Sequence, residues 1–251
     1  MALTNKLTAI ANAIRAKTGS TAKLTLDQMP AAIASIETGG GGGDNLEEFI
    51  TRTIKTFSNS SITKIGDSAF ESCEKLTSVN CPAVTKIGHA AFQYNYSLTS
   101  INFGDVTSIG MNAFANCPYI TEADFPYVTE LEGGTFYQCK NLTNVNIPNV
   151  TKVQLKDFSE CYALTKLDLP SVTYIYTQAF YYSEALEAVI LRSPTVCTMN
   201  NANAFTGTPI ASGTGYIYVP KALIEDYKAA ARWSYYANQF RAIEDYPNIC
   251  G

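Results

Sequence analysis

Histidine is nearly absent: His89 is the only one in 251 residues. A histidine-rich metal centre is thereby excluded, and a Ser-His-Asp triad would have to use that one residue. Charge is sparse as well. Charged residues make up 16% of the chain, and 18 Lys plus Arg against 22 Asp plus Glu leave a net charge of -4. A mildly acidic chain is a poor general phosphate binder, so nucleic acid is not an expected partner. No apolar run reaches the ~18 residues that cross a bilayer, so no membrane is expected either. The amino terminus lacks the pattern of a secretory signal. Asn5, Lys6 and Asn12 interrupt any apolar middle, and Arg15 and Lys17 follow it. Folding is then expected in a cytosol, and seven cysteines, an odd number, fit reduced thiols better than a disulfide framework. What is present is a hydrophobic share of 46%, that of a folded chain, and 16 Tyr against one Trp.

An internal repeat organises the middle of the chain. Phe70, Phe92, Phe114, Phe136, Phe158 and Phe180 follow one another at intervals of 22, and Phe205 comes 25 later. Other apolar columns keep the same step. One is Leu76, Leu98, Ile120, Leu142, Leu164, Leu186; others run through Val79 to Val189, Val84 to Val172 and Ile65 to Ile175. One unit reads L-T-x-V-x-x-P-x-V-T-x-I-x-x-x-A-F-x-x-C. This predicts a short strand with apolar residues inward, a turn, a second extended piece, and a tight helical or irregular turn that holds the Phe. A single coil of this length cannot bury its own apolar face, whereas stacked coils cover one another. At a rung spacing of about 4.8 Å, six to seven coils make a slab on the order of 30 Å long, with the phenylalanines as one continuous spine.

Polar columns accompany the apolar ones. Thr77, Thr99, Thr121, Thr143 and Thr165 form one, and Thr63, Thr85, Thr107, Thr129, Thr151 and Thr173 another. They are expected to be structural, as β-branched strand residues whose hydroxyls bond up the ladder. Cys73, Cys117, Cys139 and Cys161 each lie three residues after a Phe, in a column shared with Asn95 and Ser183. Metal ligands converge on one point, and a column with one thiol per coil does not, so these read as small buried turn residues and no metal or cofactor is expected.

The two ends break the period. Leu3, Leu7, Ile10 and Ile14, then Leu26, Met29, Ile33 and Ile36, each make an apolar stripe at helical spacing. This predicts a helical hairpin over 1–38, too small to be stable alone and suited to attachment or self-association. Gly39 to Gly43 open a flexible linker over 39–45. The repeats then occupy 46–206. Residues 207–251 read as a terminal cap: a strand at 215–220, a helix at 221–230, Trp233 as a packing residue, and a second short amphipathic piece to about Tyr246.

The segments IGDSAFESC at 65–73 and IGMNAFANC at 109–117, followed by L-T-x-V-x-x-P, resemble the BspA-like leucine-rich repeats of bacterial surface proteins and of mobile-element proteins of gut bacteria. The closing YIYVPKALIEDYKAAARWSYYANQF is similar to the end of those proteins. The resemblance covers about 65–246 and implies an α+β repeat solenoid that binds and does not catalyse. LTAIANAIRAKTGSTAKLTLDQMPAAIASI, near the amino terminus, resembles a short module of tail and other virion proteins of phages that infect Gram-positive gut bacteria. That second resemblance implies a virion component, assembled in a host cytoplasm, with other virion proteins as partners and a possible homo-oligomer through residues 1–37. The alternative is a bacterial cell-surface adhesin of the same repeat class.

The repeat also fixes which side chains face outward. Positions 78 and 80 and their equivalents read Ser78, Asn80; Ser100, Asn102; Glu122, Asp124; Asn144, Asn146; Lys166, Asp168, a mild polar face on which Glu122 and Asp124 read as solvated carboxylates. After each Phe the chain is richer in rings: Tyr94, Tyr96, Tyr119, Tyr137, Tyr162, Tyr181 and Tyr182. Tyrosine is a rigid amphipathic ring with a low entropy cost, and aromatic rings stack on sugars. These seven are the candidate recognition edge for a host-surface glycan or protein. Against this stands the reading that several of them only pack over the turn of the next coil.

Overall fold

The computed structural model describes residues 54–251. The expected helical module, the linker and the first residues of the solenoid lie outside the described residues. So do Leu3, Leu7, Ile10, Ile14, Leu26, Met29, Ile33 and Ile36.

The 22-residue step becomes the register of the fold. Each strand pairs in parallel with its equivalent one coil on, as in Val79↔Ile101, Ala123↔Val145 and Leu167↔Val189. The longer strands line one side in three blocks. The first block is Thr56–Ser58, Ser78–Cys81 and Ser100–Phe103, and the second is Glu122–Asp124 with Asn144–Asn146. The third is Lys166–Leu169, Ala188–Leu191, Tyr216–Val219 and Phe240–Ala242. A second, shorter ladder joins Lys64–Ile65, Lys86–Ile87 and Ser108–Ile109, touches Leu131 by a single bridge, and resumes with Lys152–Val153, Tyr174–Ile175 and Thr198–Met199.

The third side is an irregular turn in the coils from Phe70 to Phe180, and a short 3-10 segment, Ala202–Phe205, in the coil that holds Phe205. Two residues per coil adopt left-handed backbone: Ser68, Ala90, Asn112, Gly134, Lys156 and Gln178 in one column, Ser72, Tyr94, Asn116, Gln138, Glu160 and Tyr182 (with φ near +60° throughout) in the other. This conformation costs a non-glycine residue about 1–2 kcal/mol. The turn returns that cost through hydrogen bonds between coils. Phe70 N donates to Ala91 O, Phe92 N to Ala113 O and Phe114 N to Thr135 O, with Ser72, Tyr94 and Asn116 doing the same two residues later.

Inside, the phenylalanines form the expected single file. Successive ring centroids from Phe70 to Phe205 are 5.2, 5.4, 5.8, 5.6, 6.1 and 5.0 Å apart, and the rings are stacked. Each is fully buried, which is worth about 1.5–3 kcal/mol per ring. Trp233 closes the file 6.1 Å beyond Phe205, and its indole N–H donates to Cys197 O at 2.6 Å.

The cap differs from expectation in one respect. The amphipathic piece after Trp233 is a 3-10 segment, Trp233–Gln239, followed by a strand, Phe240–Ala242, that pairs with Tyr216–Val219. Phe240 and Ala242 turn inward and continue the long ladder by one rung. The end of the chain then folds over the outer face of that ladder. Cys250 packs with Ala188, Ile190 and Tyr218, so the strand Ala188–Leu191 is buried on both faces.

Candidate recognition surfaces

The threonine hydroxyls bond along the ladder, and their partners are backbone carbonyls. Each hydroxyl that bonds donates to a backbone carbonyl one coil back: Thr77 Oγ1 to Lys55 O at 2.9 Å, Thr99 Oγ1 to Thr77 O at 3.1 Å, Thr107 Oγ1 to Thr85 O at 3.2 Å. The cysteine column has a function beyond filling space. Sγ of Cys117, Cys139 and Cys161 donates to the carbonyl of Phe92, Phe114 and Phe136 at 3.0–3.2 Å. Asn95 Nδ2 and Ser183 Oγ serve Phe70 O and Phe158 O in the same way. The signal was in the sequence: cysteine, asparagine and serine share a small size and a donor hydrogen. All seven cysteines are buried, and burial pushes Cys139 and Cys197 up to about 12 and Cys81 up to about 11.

Sequence reading missed one buried carboxylate, Asp157, which stands where other coils have Ala69, Ala91, Ala113 and Ala179. Its cause lies one coil back. Gly133 and Gly134 both have positive φ, +108° and +61°, and there the short ladder breaks. In intact coils Gly88 N, Gly110 N and Tyr176 N donate to the preceding rung. Gln154 N instead donates to Asp157 Oδ2 at 2.6 Å, and Thr135 N to Asp157 Oδ1 at 3.2 Å. The carboxylate replaces lost backbone acceptors. Burial outweighs these hydrogen bonds and pushes its pKa up to about 6. Among the described residues no three His, Cys, Asp or Glu are grouped to hold a metal ion, and no helix is long and apolar enough to cross a membrane.

The tyrosine edge is partly assembled. Tyr94, Tyr96, Tyr119, Tyr162 and Tyr182 are exposed, whereas Tyr137 and Tyr181 are half-buried. Tyr94 and Tyr96 lie 6.3 Å apart, and Tyr181 meets Tyr182 edge-on at 4.5 Å. At the centre, the Glu160 carboxylate accepts from Tyr162 Oη at 3.1 Å and from Gln138 Nε2 at 2.8 Å, and Gln138 Nε2 also reaches Tyr137 Oη. Burial and then Glu160 push the Tyr137 and Tyr162 phenols up. Lys156 lies 5.4 Å over the Tyr137 ring and Lys140 5.7 Å over Tyr162. Tyr182 is a packing residue as well: a Cβ at Gly207 would come within 2.8 Å of its ring. Tyr119 makes no ring contact with the other six. Tyr127 and Tyr235, which the sequence did not single out, are also exposed.

The polar face of the long ladder carries a file of planar side chains: Asn80, Asn102, Asp124, Asn146, Asp168. Asn80 Nδ2 donates to Ser58 Oγ at 3.3 Å and Asn102 Nδ2 to Asn80 Oδ1 at 2.7 Å; after the first ladder break, Asn146 Nδ2 donates to Asp124 Oδ1 at 2.7 Å. A cleft of about 260 Å³ lies at the break between Ser100–Phe103 and Glu122–Asp124. A second, of about 520 Å³, spans Glu122–Asp124, Asn144–Asn146 and Lys166–Leu169. The inward residues Ile101, Phe103 and Val145, each in a strand that ends a block, are half-buried, whereas Val79 and Cys81, inside the first block, are fully buried. Beyond the second cleft, Asp168 receives a bidentate Arg192, whose guanidinium also donates to Cys250 O, and Lys166 Nζ donates to Ile249 O at 3.2 Å.

Comparison with known proteins matches this architecture. A leucine-rich repeat protein from Eubacterium ventriosum is 24% identical, covers 62% of this chain and 43% of its own, and superposes with a TM-score of 0.55. A leucine-rich repeat protein from Bacteroides ovatus is 20% identical over 75% of this chain and 66% of its own, with a TM-score of 0.42. A leucine rich cell surface protein from Faecalibacterium prausnitzii is 18% identical over 74% of this chain and 63% of its own, with a TM-score of 0.37. The chain thus spans less than two thirds of each of these proteins, and only the first superposition supports the shared fold. No curated protein matches the chain. The model of the BspA type leucine rich repeat region matches in six copies, over residues 47–154 and 107–221, which together make up well over half of the sequence. The chain belongs to the BspA-type leucine-rich repeat family.

Proposed function

We propose that this chain is a non-enzymatic recognition component of a phage or prophage particle, a tail-fibre or receptor-binding protein. Residues 1–37 attach it to other virion proteins or associate copies of it, and the solenoid presents its outer surface to a host-surface glycan or protein. The observation that carries the reading is the division of labour among side chains. The repeat columns that point inward are spent on packing and on satisfying carbonyls, and among the rings left outside, Tyr162 and Tyr137 meet at Glu160 and Gln138. Weak contacts at that edge, multiplied over many copies, give avidity. Membership in the BspA-type family supports a second reading, a cell-surface adhesin of the same repeat class.

The test is binding of the whole chain to intact host cells, compared with the double variant Tyr94→Ala/Tyr162→Ala. Loss of binding with an unchanged melting temperature supports a recognition edge, and unaltered binding refutes it. The mass in solution of the whole chain and of a chain beginning at Asp44 tests residues 1–37: association of only the longer one supports self-assembly. Gene neighbourhood separates the two readings, with tail, baseplate and lysis genes expected for the first and cell-wall genes for the second.

A further inference from the structure

The polar face of the long ladder holds a second candidate site, and its chemistry follows from the direction of its hydrogen bonds. Every amide in the file donates toward the amino-terminal end: Asn80 to Ser58, Asn102 to Asn80, Asn146 to Asp124. Each short run of amides therefore ends in an acceptor, the Oδ1 of Asn102 at the first ladder break and the Oδ1 of Asn146 at the second. The side chain opposite, one coil on, is also an acceptor: Asp124 at the first break, whereas at the second Arg192 already occupies both oxygens of Asp168. Two acceptors cannot bond each other. At the first break this leaves Asn102 Oδ1 facing a carboxylate with an oxygen to spare, with the Glu122 carboxylate beside them, which uses one oxygen for Asn144 Nδ2.

Such a cleft wants a ligand rich in donors. Its walls add a second requirement, because Ile101 and Phe103 are only half-buried there and offer apolar surface between the polar groups. Anions are disfavoured by Glu122 and Asp124, and Lys166 is already engaged by Ile249 O. A pyranose ring meets both conditions, with hydroxyl donors on its rim and C–H groups on its faces.

We infer that the Asn102/Asp124 cleft binds a neutral, extended β-linked polysaccharide lying across the strands. This rests on the reading of the chain as a recognition module but uses a different surface from the tyrosine edge. The test is titration of the whole chain with chitohexaose and cellohexaose, followed by calorimetry. Two variants are compared with the parent: Asn102→Ala/Asp124→Ala, which removes the acceptors, and Asp124→Asn, whose new amide pairs with Asn102 Oδ1 and closes the cleft. All these side chains are exposed, so melting temperatures should stay with the parent. Each variant is expected to weaken binding at least about tenfold, the loss of one hydrogen bond to a charged group. Failure of both sugars to bind at millimolar concentration overturns the inference. So does binding that survives both variants, binding lost only in Tyr94→Ala/Tyr162→Ala, or an equal response to calcium ions alone. If the sheet variants are silent while the tyrosine variant loses host cells, the cleft inference fails and the recognition reading stands.

Discussion

Replacing Phe136 by alanine tests the central mechanical idea, that the coils hold one another through the aromatic file. Phe136 is fully buried midway along it, stacked on Phe114 at 5.8 Å and Phe158 at 5.6 Å, with Phe125 tilted against it at 6.2 Å. Truncation removes the transfer energy of the ring and leaves a cavity, together about 3–5 kcal/mol. The turn side is pinned by hydrogen bonds to both neighbours, but the long ladder is open beside Ser100–Phe103 and the short one touches Leu131 by a single bridge, so the coils relax partly into the gap and the middle of that range is expected. The site of the damage matters as much as its size. In a linear array each coil is stabilised by its neighbours, so weakening one interface uncouples the two halves. Trp233, the single tryptophan, reports only on the carboxyl end. In urea, the far-UV dichroism of Phe136→Ala should therefore fall earlier than its tryptophan fluorescence, whereas the two coincide in the parent. A total loss below about 1 kcal/mol would refute the spine, and a full, equal shift of both signals would refute nearest-neighbour coupling.

Asp157 gives the stability a pH dependence. Its folded pKa, pushed up to about 6, lies above the ordinary value near 3.8, so the folded state holds the proton more tightly. Its contribution is present below about pH 4 and lost as pH rises through 6, a fall of about 3 kcal/mol at 1.36 kcal/mol per unit. Urea midpoints at pH 4 and pH 7 should show this slope in the parent and not in Asp157→Asn. Cys139 should resist thiol reagents, since a pKa of about 12 against the ordinary 9.0 lowers its thiolate fraction about a thousandfold; Ellman's reagent at pH 8 should react only after unfolding. Cys139→Ala orphans the Phe114 carbonyl and should cost about 1–3 kcal/mol in thermal melts, whereas Cys139→Ser keeps the donor, as Ser183 does, and should cost less. Gln178→Gly, at φ +56° in the column that already holds Gly134, should stabilise by about 1 kcal/mol in urea titration.

The sequence carried the stack because the repeat is a register: Phe70 to Phe180, spaced by 22, can be in line only if each coil lies on the next. It also placed Asn80 and its equivalents outward, because strand alternation leaves no other side for them. The left-handed turn residues were not legible, since Ala90, Tyr94 and Lys156 carry no mark of that conformation; interchain-like hydrogen bonds along the stack impose it. The ladder breaks were hidden too. INFGDVT at 101–107 keeps the alternation of VNCPAVT at 79–85, with Gly104 in place of Pro82, and VNIPNVT at 145–151 keeps it too, yet the strands at 100–103 and 144–146 each stand beside a break. The outward burial of Ala188 and Ile190 was readable in hindsight, as apolar residues where earlier coils have polar or charged ones, but what covers them is a segment about sixty residues away.

The hydrogen bonds between coils run both ways. On the short ladder Thr85 N and Gly88 N point back to Thr63 O and Ile65 O, while on the turn side Ser68 N and Phe70 N point forward to His89 O and Ala91 O. Peptide dipoles on the two flanks therefore oppose each other, unlike those of an α-helix, which add along the axis. No electrostatic penalty accumulates as rungs are gained or lost, so duplication or deletion of a whole unit leaves both extremities in the same local field. The length of such a rod is then set by the reach its owner requires.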